Sequence, residues 1–327
     1  MKNRKKTWAR IGLSLLIVGA ILFGVGYAMG GFDDLKSTVE VRTGAYDADT
    51  IGALRVESIS AEVIVERGDG DKVEITYFEG DREGVDVTVE NGILIMRQYD
   101  DRRWVDCIGL TWHDDRNIVV RVPGELASAE LFSTSGDVAL WEVSVANELA
   151  IGTTSGDVEA RGNAGSLTLS STSGELDARE MAIAGDCKAG TTSGAIALLD
   201  LAVGGTVKAT STSGSVSISE VDAQGFALGS VSGDIRLSGA AAASGEGEIS
   251  ATTTSGEIKL SDTSAAAYTF GTVSGDVSGV LPGNVRDYTI RTGTVSGSND
   301  LPDESYGGSK TIAVTTTSGD IRLTFEG

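Results

Sequence analysis

From Ser133 onward, apolar and polar residues alternate in short runs that restart at a nearly constant interval, and each restart carries a Ser-Gly pair. Ten such pairs end at Gly136, Gly156, Gly174, Gly194, Gly214, Gly233, Gly256, Gly275, Gly297 and Gly319, in steps of 18 to 23 residues. Alternation with period two belongs to strands, whose side chains switch faces at every residue. Repetition near twenty residues belongs to a solenoid, in which each unit buries its apolar face against the next. Together they predict an all-β chain wound as a parallel β-helix.

Counted from each glycine, several positions form inward ladders. Seven residues before it, coils two to ten place Leu149, Leu167, Cys187, Val207, Phe226, Ile249, Tyr268, Ile290 and Ile312. Five before it the series begins Leu131, Ile151, Leu169, and two after it Val138, Val158, Leu176. Three before it every coil carries a hydroxyl, from Ser133 and Thr153 through to Thr294 and Thr316, and parity turns this ladder inward too. A buried hydroxyl costs roughly 1 to 3 kcal/mol unless hydrogen-bonded, so these are expected to bond from coil to coil or to the turn backbone. The recurrent glycine suggests a corner that needs either a positive φ or close backbone approach.

Ahead of the repeats, residues 54–65 keep the same register with Ala61 in the glycine's place, as a degenerate first coil. Strands around 73–77, 85–89, 93–96 and 118–122 then continue toward the first regular coil. Residues 99–117 break the register and hold Trp104, Trp112 and the single histidine, His113; this insertion suggests a cap or a lid. The predicted organisation is a basic tail at 1–10, an apolar helix at 11–32, degenerate coils with the insertion at 33–127, and the regular β-helix at 128–327. The last two form one continuous domain. The chain stops a few residues past the final coil, which predicts an uncapped C-terminal edge open to self-association.

Charge places the chain. Residues 1–10 carry five basic residues and no acid, and 11–32 carry no charge at all. A span of hydrocarbon needs about 20 apolar residues, so 11–32 is predicted to cross the membrane once. The basic flank keeps the N-terminus cytoplasmic and the β-helix on the extracytoplasmic side. A cleaved signal peptide competes with this reading, with Gly26-Tyr27-Ala28 as its site. Beyond residue 10 stand 21 basic against 47 acidic residues, a net of 26 negative charges. Such a body repels nucleic acid and attracts cationic peptides, basic proteins or divalent metals; it also serves solubility. Cys187 takes an inward core position and Cys107 lies in the insertion, so no disulfide is expected.

One constellation could carry chemistry. Directly after the glycine stand Asp137, Asp157, Glu175, Asp234, Glu257, Asp276 and Asp320, interrupted by Ala195, Ser215 and Ser298. Stacked carboxylates about 4.8 Å apart repel by roughly 1 kcal/mol in water, so something must compensate. Either each accepts a turn amide, or Asp137, Asp157, Glu175, Asp234, Glu257 and Asp276 hold Ca²⁺. The repeat lacks the nine-residue pattern of calcium β-rolls. No serine-nucleophile elbow, phosphate loop or Cys-x-x-Cys pair occurs, and a uniform ladder lacks the two unlike carboxylates of acid/base work. No catalytic or cofactor-binding residue is therefore assigned. A polysaccharide-cleaving enzyme using Asp234 or Asp276, and a passive stalk, stand as alternatives.

The basic tail, the single apolar helix, LRVESISAEVIV at 54–65, IVVRVPGELASAELFSTSGDV at 118–138 and the reiterated TTSGD units resemble the bacterial domain-of-unknown-function family labelled "putative adhesin". The resemblance covers about residues 40–327. It implies a right-handed, single-stranded β-helix on the outer face of a membrane, of the Gram-positive envelope type, with no defined catalytic set. The expected role is non-catalytic binding, as an adhesin or an envelope-stress sensor component. The expected partner is an envelope protein or peptide, cationic ones included.

Overall fold

The computed structural model describes residues 39–101 and 116–326. The apolar helix expected at 11–32, the basic tail, Cys107 and His113 lie outside the described residues, as does most of the 99–117 insertion. Among the described residues the chain is all-β apart from three short 3-10 turns, and no helix is long and apolar enough to cross a membrane.

Each coil contributes one strand before its glycine and one after, and each strand pairs in parallel with its counterpart in the neighbouring coil. The strand before the glycine aligns Leu149 with Leu167, Cys187, Val207, Phe226, Ile249 and Tyr268 in turn. The strand after it aligns Val138 with Val158, Leu176, Ile196, Val216, Ile235, Ile258 and Val277. All of these side chains are buried. The inward ladders read from the alternation are thus the core, and each coil closes the apolar face of its neighbour.

The hydroxyl ladder is satisfied in a repeating way. Ser211 Oγ accepts from the Gly214 amide at 2.9 Å and donates to the Gly194 carbonyl of the preceding coil at 3.1 Å. Ser230 does the same with Gly233 and Gly214. Thr153, Thr191, Thr253, Thr272 and Thr316 also make both bonds, so seven hydroxyls tie their own turn to the adjacent coil. Ser211→Ala leaves a part-buried amide and a buried carbonyl without this partner, and a loss of about 1 to 3 kcal/mol is expected. Urea titration should show it, while Ser211→Thr, which restores the oxygen, should stay close to the unmodified chain.

Close approach, and not a positive φ, explains the Ser-Gly glycines. None of the ten has a left-handed φ. A Cβ on Gly156 would sit 2.2 Å from the Gly136 carbonyl oxygen, and one on Gly194 only 1.8 Å from that of Gly174. Left-handed backbone appears instead at a second corner, six residues later, where Glu142, Glu180, Asp200, Glu220 and Asp262 have φ between 51° and 57°. The side chains at this second corner are exposed acids, a feature that alternation alone does not announce.

Both ends of the stack depart from sequence order. At the N-terminal end the strands are β1 (Glu40–Asp47), β2 (Ala53–Ser58), β3 (Glu62–Arg67), β4 (Lys72–Glu79), β5 (Glu83–Glu90), β6 (Ile93–Asp100) and β7 (Asn117–Val122). The degenerate coil β2–β3 stacks directly on the first regular coil, and β6 and β7 lie on its far side. The expected march of strands toward the first regular coil is corrected: strands β6 and β7 lie beyond the degenerate coil, on the side away from the regular ones. Antiparallel β5 covers β6, and β4 and β1 follow antiparallel on β7.

Gln98 on β6 completes this cap. Its Oε1 accepts from Ser58 Oγ and the amides of Ile59, Ser60 and Ala61, all at 2.8 to 3.1 Å. A side chain thus replaces the missing coil below, so Ala61 meets no glycine carbonyl there and its methyl is tolerated.

At the other end the final coil is threaded inward. Strand Lys310–Thr316 lies between Ala267–Gly271 and Tyr288–Thr294. Thr316 donates to the Gly275 carbonyl at 3.2 Å, and Thr294 to that of Gly319 at 2.9 Å. The glycine order in space is therefore Gly275, Gly319, Gly297. The uncapped C-terminal edge expected from the chain's length is corrected as well. The outermost strand of this ladder is Tyr288–Thr294, and Glu304–Ser305 folds antiparallel onto its outer side. Among the described residues, strand Ile321–Glu326 keeps a side without a strand partner, beyond a single bridge from Asn299 to Ile321, as do the short Glu304–Ser305 here and β1 at the opposite end.

Candidate functional site

The acidic ladder forms where the register placed it, and its aspartates are engaged with backbone. Asp137 Oδ1 accepts from the Asp157 amide and Asp157 Oδ1 from the Glu175 amide, both at 2.8 Å. Asp234 likewise bonds the Glu257 amide at 2.9 Å, and Asp276 the Asp320 amide at 2.8 Å. The expected turn-amide bond exists, but it runs to the next coil instead of the residue's own turn. Glu257 Oε1 accepts from Ser278 Oγ at 2.7 Å. Guanidinium groups supply further compensation: Arg236 pairs with Asp234, and Arg322 with both Asp276 and Asp320.

Among the described residues no group of three or more His, Cys, Asp or Glu side chains is placed to hold a metal ion. With ladder oxygens bound to amides, melting curves recorded with calcium and with a chelator should coincide. A chelator-dependent fall in the midpoint would restore the cation reading of Asp137, Asp157, Glu175, Asp234, Glu257 and Asp276.

Two carboxyls are held below their ordinary range by amide donors. For Asp320 the main cause is the Ser298 amide at 2.7 Å; for Asp186 it is the Thr206 amide at 3.0 Å, joined by the Thr206 hydroxyl. A depressed folded-state pKa stabilises the fold fully above the unfolded carboxyl value of about 3.9 and is lost as pH falls through the folded value. Thermal midpoints should therefore hold from neutrality down to about pH 5 and fall below that. Asp186→Asn should flatten that acid limb; an unchanged limb in both Asp186→Asn and Asp320→Asn would refute the assignment.

Cys187 is a buried free thiol whose pKa burial pushes up to about 12, which makes it a core residue and no nucleophile at neutral pH.

The outward positions hold what the inward reading passed over. Four residues before the glycine, the stack order runs Phe132, Gly152, Ser170, Gly190, Thr210, Gly229, Thr252, Gly271, Thr315, Gly293. Hydroxyl and glycine coils alternate, and each hydroxyl side chain leans over its glycine neighbour. A Cβ on Gly271 would touch Thr252 Cγ2 at 3.7 Å and Thr315 Oγ1 at 3.9 Å. Phe132 alone breaks the series. Its ring lies beside Gly152, where an added Cβ would meet it at 3.3 Å, and it stays 43 % exposed.

Around Phe132 the face hollows into an open groove of about 550 Å³, lined by Glu57, Ile59, Arg97, Glu130, Phe132 and Gly152 among others. Ile59 is 40 % exposed. The rim carries two ion pairs, Arg97 with Glu57 at 3.0 Å and Arg55 with Glu130 at 2.7 Å. The signal was present in the chain: one aromatic residue at a strand position of outward parity, where all nine other coils place Gly, Ser or Thr.

A family model described as Toastrack DUF4097 matches residues 124–202 and 199–324. Among solved structures, a "putative lipid binding protein" from Parabacteroides distasonis aligns at 13 % identity over 89 % of this chain and 97 % of its own, with a TM-score of 0.40. A "putative adhesin" from the same organism aligns at 12 % identity over 88 % and 97 %, with a TM-score of 0.35. A "putative cell adhesion protein" from Clostridium sporogenes aligns at 9 % identity over 88 % and 100 %, with a TM-score of 0.21. No curated protein sequence matches this chain.

Proposed function

We propose, for a chain that belongs to the Toastrack DUF4097 family, a non-catalytic binding protein that engages its partner on the lateral face of the solenoid. The observation that carries this reading is the groove at Phe132. An exposed aromatic ring over a glycine is poor surface design for solubility, and concave apolar surface with a few polar groups at its rim is the usual form of a binding site. The proposal includes the single-pass anchor at 11–32, supported by its uncharged run and basic flank, with the β-helix right-handed and extracytoplasmic. It also includes an adhesin or envelope-sensor role, with an envelope protein or peptide, bare or glycosylated, as partner. The net negative charge draws a cationic one in at long range, and the groove, whose rim charges are paired, takes an uncharged part of it. Self-association, where it occurs, would use Arg322–Glu326, the part of the final strand with an open side.

Against the polysaccharide-cleaving alternative stands the engagement of Asp234 and Asp276 with amides and guanidinium groups. A photo-crosslinking phenylalanine analogue at Phe132, in cells of the native host, tests the binding reading. It should capture an envelope component that the same analogue at Glu142, on the second corner, does not. Equal capture at both positions, or none at Phe132, would refute the lateral-face site.

A further inference from the structure

From the charge balance and shape of the Phe132 groove we infer that its ligand is a neutral sugar ring of a glycan; the inference deepens the lateral-face reading and rests on it. The chain as a whole carries 21 net negative charges, yet the groove rim is locally neutral. Glu57 is matched by Arg97 through two guanidinium contacts, at 3.0 and 3.5 Å, and Glu130 by Arg55 at 2.8 and 2.7 Å. A cationic ligand would have to compete with the resident guanidinium groups for these carboxylates. An anionic one would meet the surrounding negative field. A neutral polar ligand faces neither cost.

The polar groups suit such a ligand. Both pairs lie partly in solvent, with side-chain exposures of 57 % and 46 % for Arg97 and Glu57 and 42 % and 60 % for Arg55 and Glu130. They present planar donors and acceptors side by side, which match vicinal hydroxyls that both donate and accept. Beside the Phe132 ring Gly152 projects no side chain, and only the Ser170 hydroxyl reaches over it, 2.8 Å from where a Cβ would stand, so the ring face stays open with a hydroxyl at its edge. An aromatic face carries partial negative charge, and the C–H face of a pyranose presents weakly positive hydrogens to it. The groove volume of about 550 Å³ falls within the usual range for small-ligand sites and accommodates a short oligosaccharide.

The competing explanation is that Phe132 merely shields the backbone at Gly152, a cross-strand cover known to stabilise glycine in sheets. Saturation-transfer NMR and titration on the full chain in a sugar-free detergent separate the two, with cellotriose, maltotriose and chitotriose as probes. The expected result is saturation of ring C–H protons in at least one of the three, with roughly millimolar affinity. That affinity should be almost unchanged by added salt, since the ligand is neutral. Phe132→Leu keeps the apolar cover and should preserve the melting midpoint while weakening binding about tenfold or more.

Absence of binding by all three sugars overturns the inference, as does binding that Phe132→Leu leaves intact. If sugars fail while crosslinking at Phe132 persists, the glycan falls and the lateral-face reading stands; if crosslinking also fails, both fall.

Discussion

Gly194→Ala is expected to fracture the solenoid at one coil boundary. Its Cβ would lie 1.8 Å from the Gly174 carbonyl oxygen, and that atom belongs to backbone, which no side-chain rotation can relieve. Restoring ordinary contact needs the coils to separate by well over an ångström, which breaks the parallel ladder on both sides of the corner. Overpacking of a core typically costs about 1 to 3 kcal/mol; a backbone clash without a soft partner belongs at or above the top of that range. Because solenoid coils contact only their neighbours, hydrogen exchange should rise first at residues near Gly174 and Gly194 and leave distant coils protected. Gly293→Ala is the control, since nothing lies within 4 Å of its added methyl. A Gly194→Ala chain within about 0.5 kcal/mol of the original, the scatter of inert surface changes, would contradict the close-approach account.

The second large effect concerns the threaded terminus. Deleting residues 310–327 removes a coil from inside the stack. Strand Tyr288–Thr294 would lose its only parallel neighbour, and Ala267–Gly271 would lose its outer one. The aromatic cluster would open too, because Phe325 packs on Tyr288 at 5.4 Å between ring centroids and Tyr288 on Tyr268 at 6.3 Å. Burying one aromatic side chain is worth about 1.5 to 3 kcal/mol, so a loss of several kcal/mol is expected. Amide protection should vanish across 288–305 and weaken across 267–282, while the coils of Gly136 to Gly214 keep theirs. Persisting protection at 288–305 after the deletion would mean that the coils stack in sequence order after all.

Much of the fold was legible because a solenoid repeats one solution. Parity around each glycine identified Leu167, Cys187 and Val207 as core, and the invariant hydroxyl of Ser211 and its equivalents as an inward ladder with partners to find. The candidate site was less legible for a physical reason. Attention falls on the acids at Asp137 and Asp234 because charge is conspicuous in a sequence, yet hydrogen bonding to the next coil's amide uses those groups structurally. Phe132 is a single residue in an otherwise bland outward series, and its significance depends on what stands beside it in the neighbouring coil.

The residues alone settle the coil: its length, its inward residues, its hydroxyl and its corner glycine, since period-two alternation and a short repeat leave one economical arrangement. Which coil lies beside which is set by the folded chain as a whole. All coils present nearly identical apolar ladders, so any two of them pair equally well by local pattern, and the order at the ends depends on long-range closure. Gln98 reaching under Ala61, and Thr316 bonding Gly275 across an intervening coil of sequence, are contacts between segments whose local patterns do not name each other. The alternation of Thr and Gly on the outer face, continuous only when Thr315 precedes Gly293, is the trace that this spatial order left in the residues.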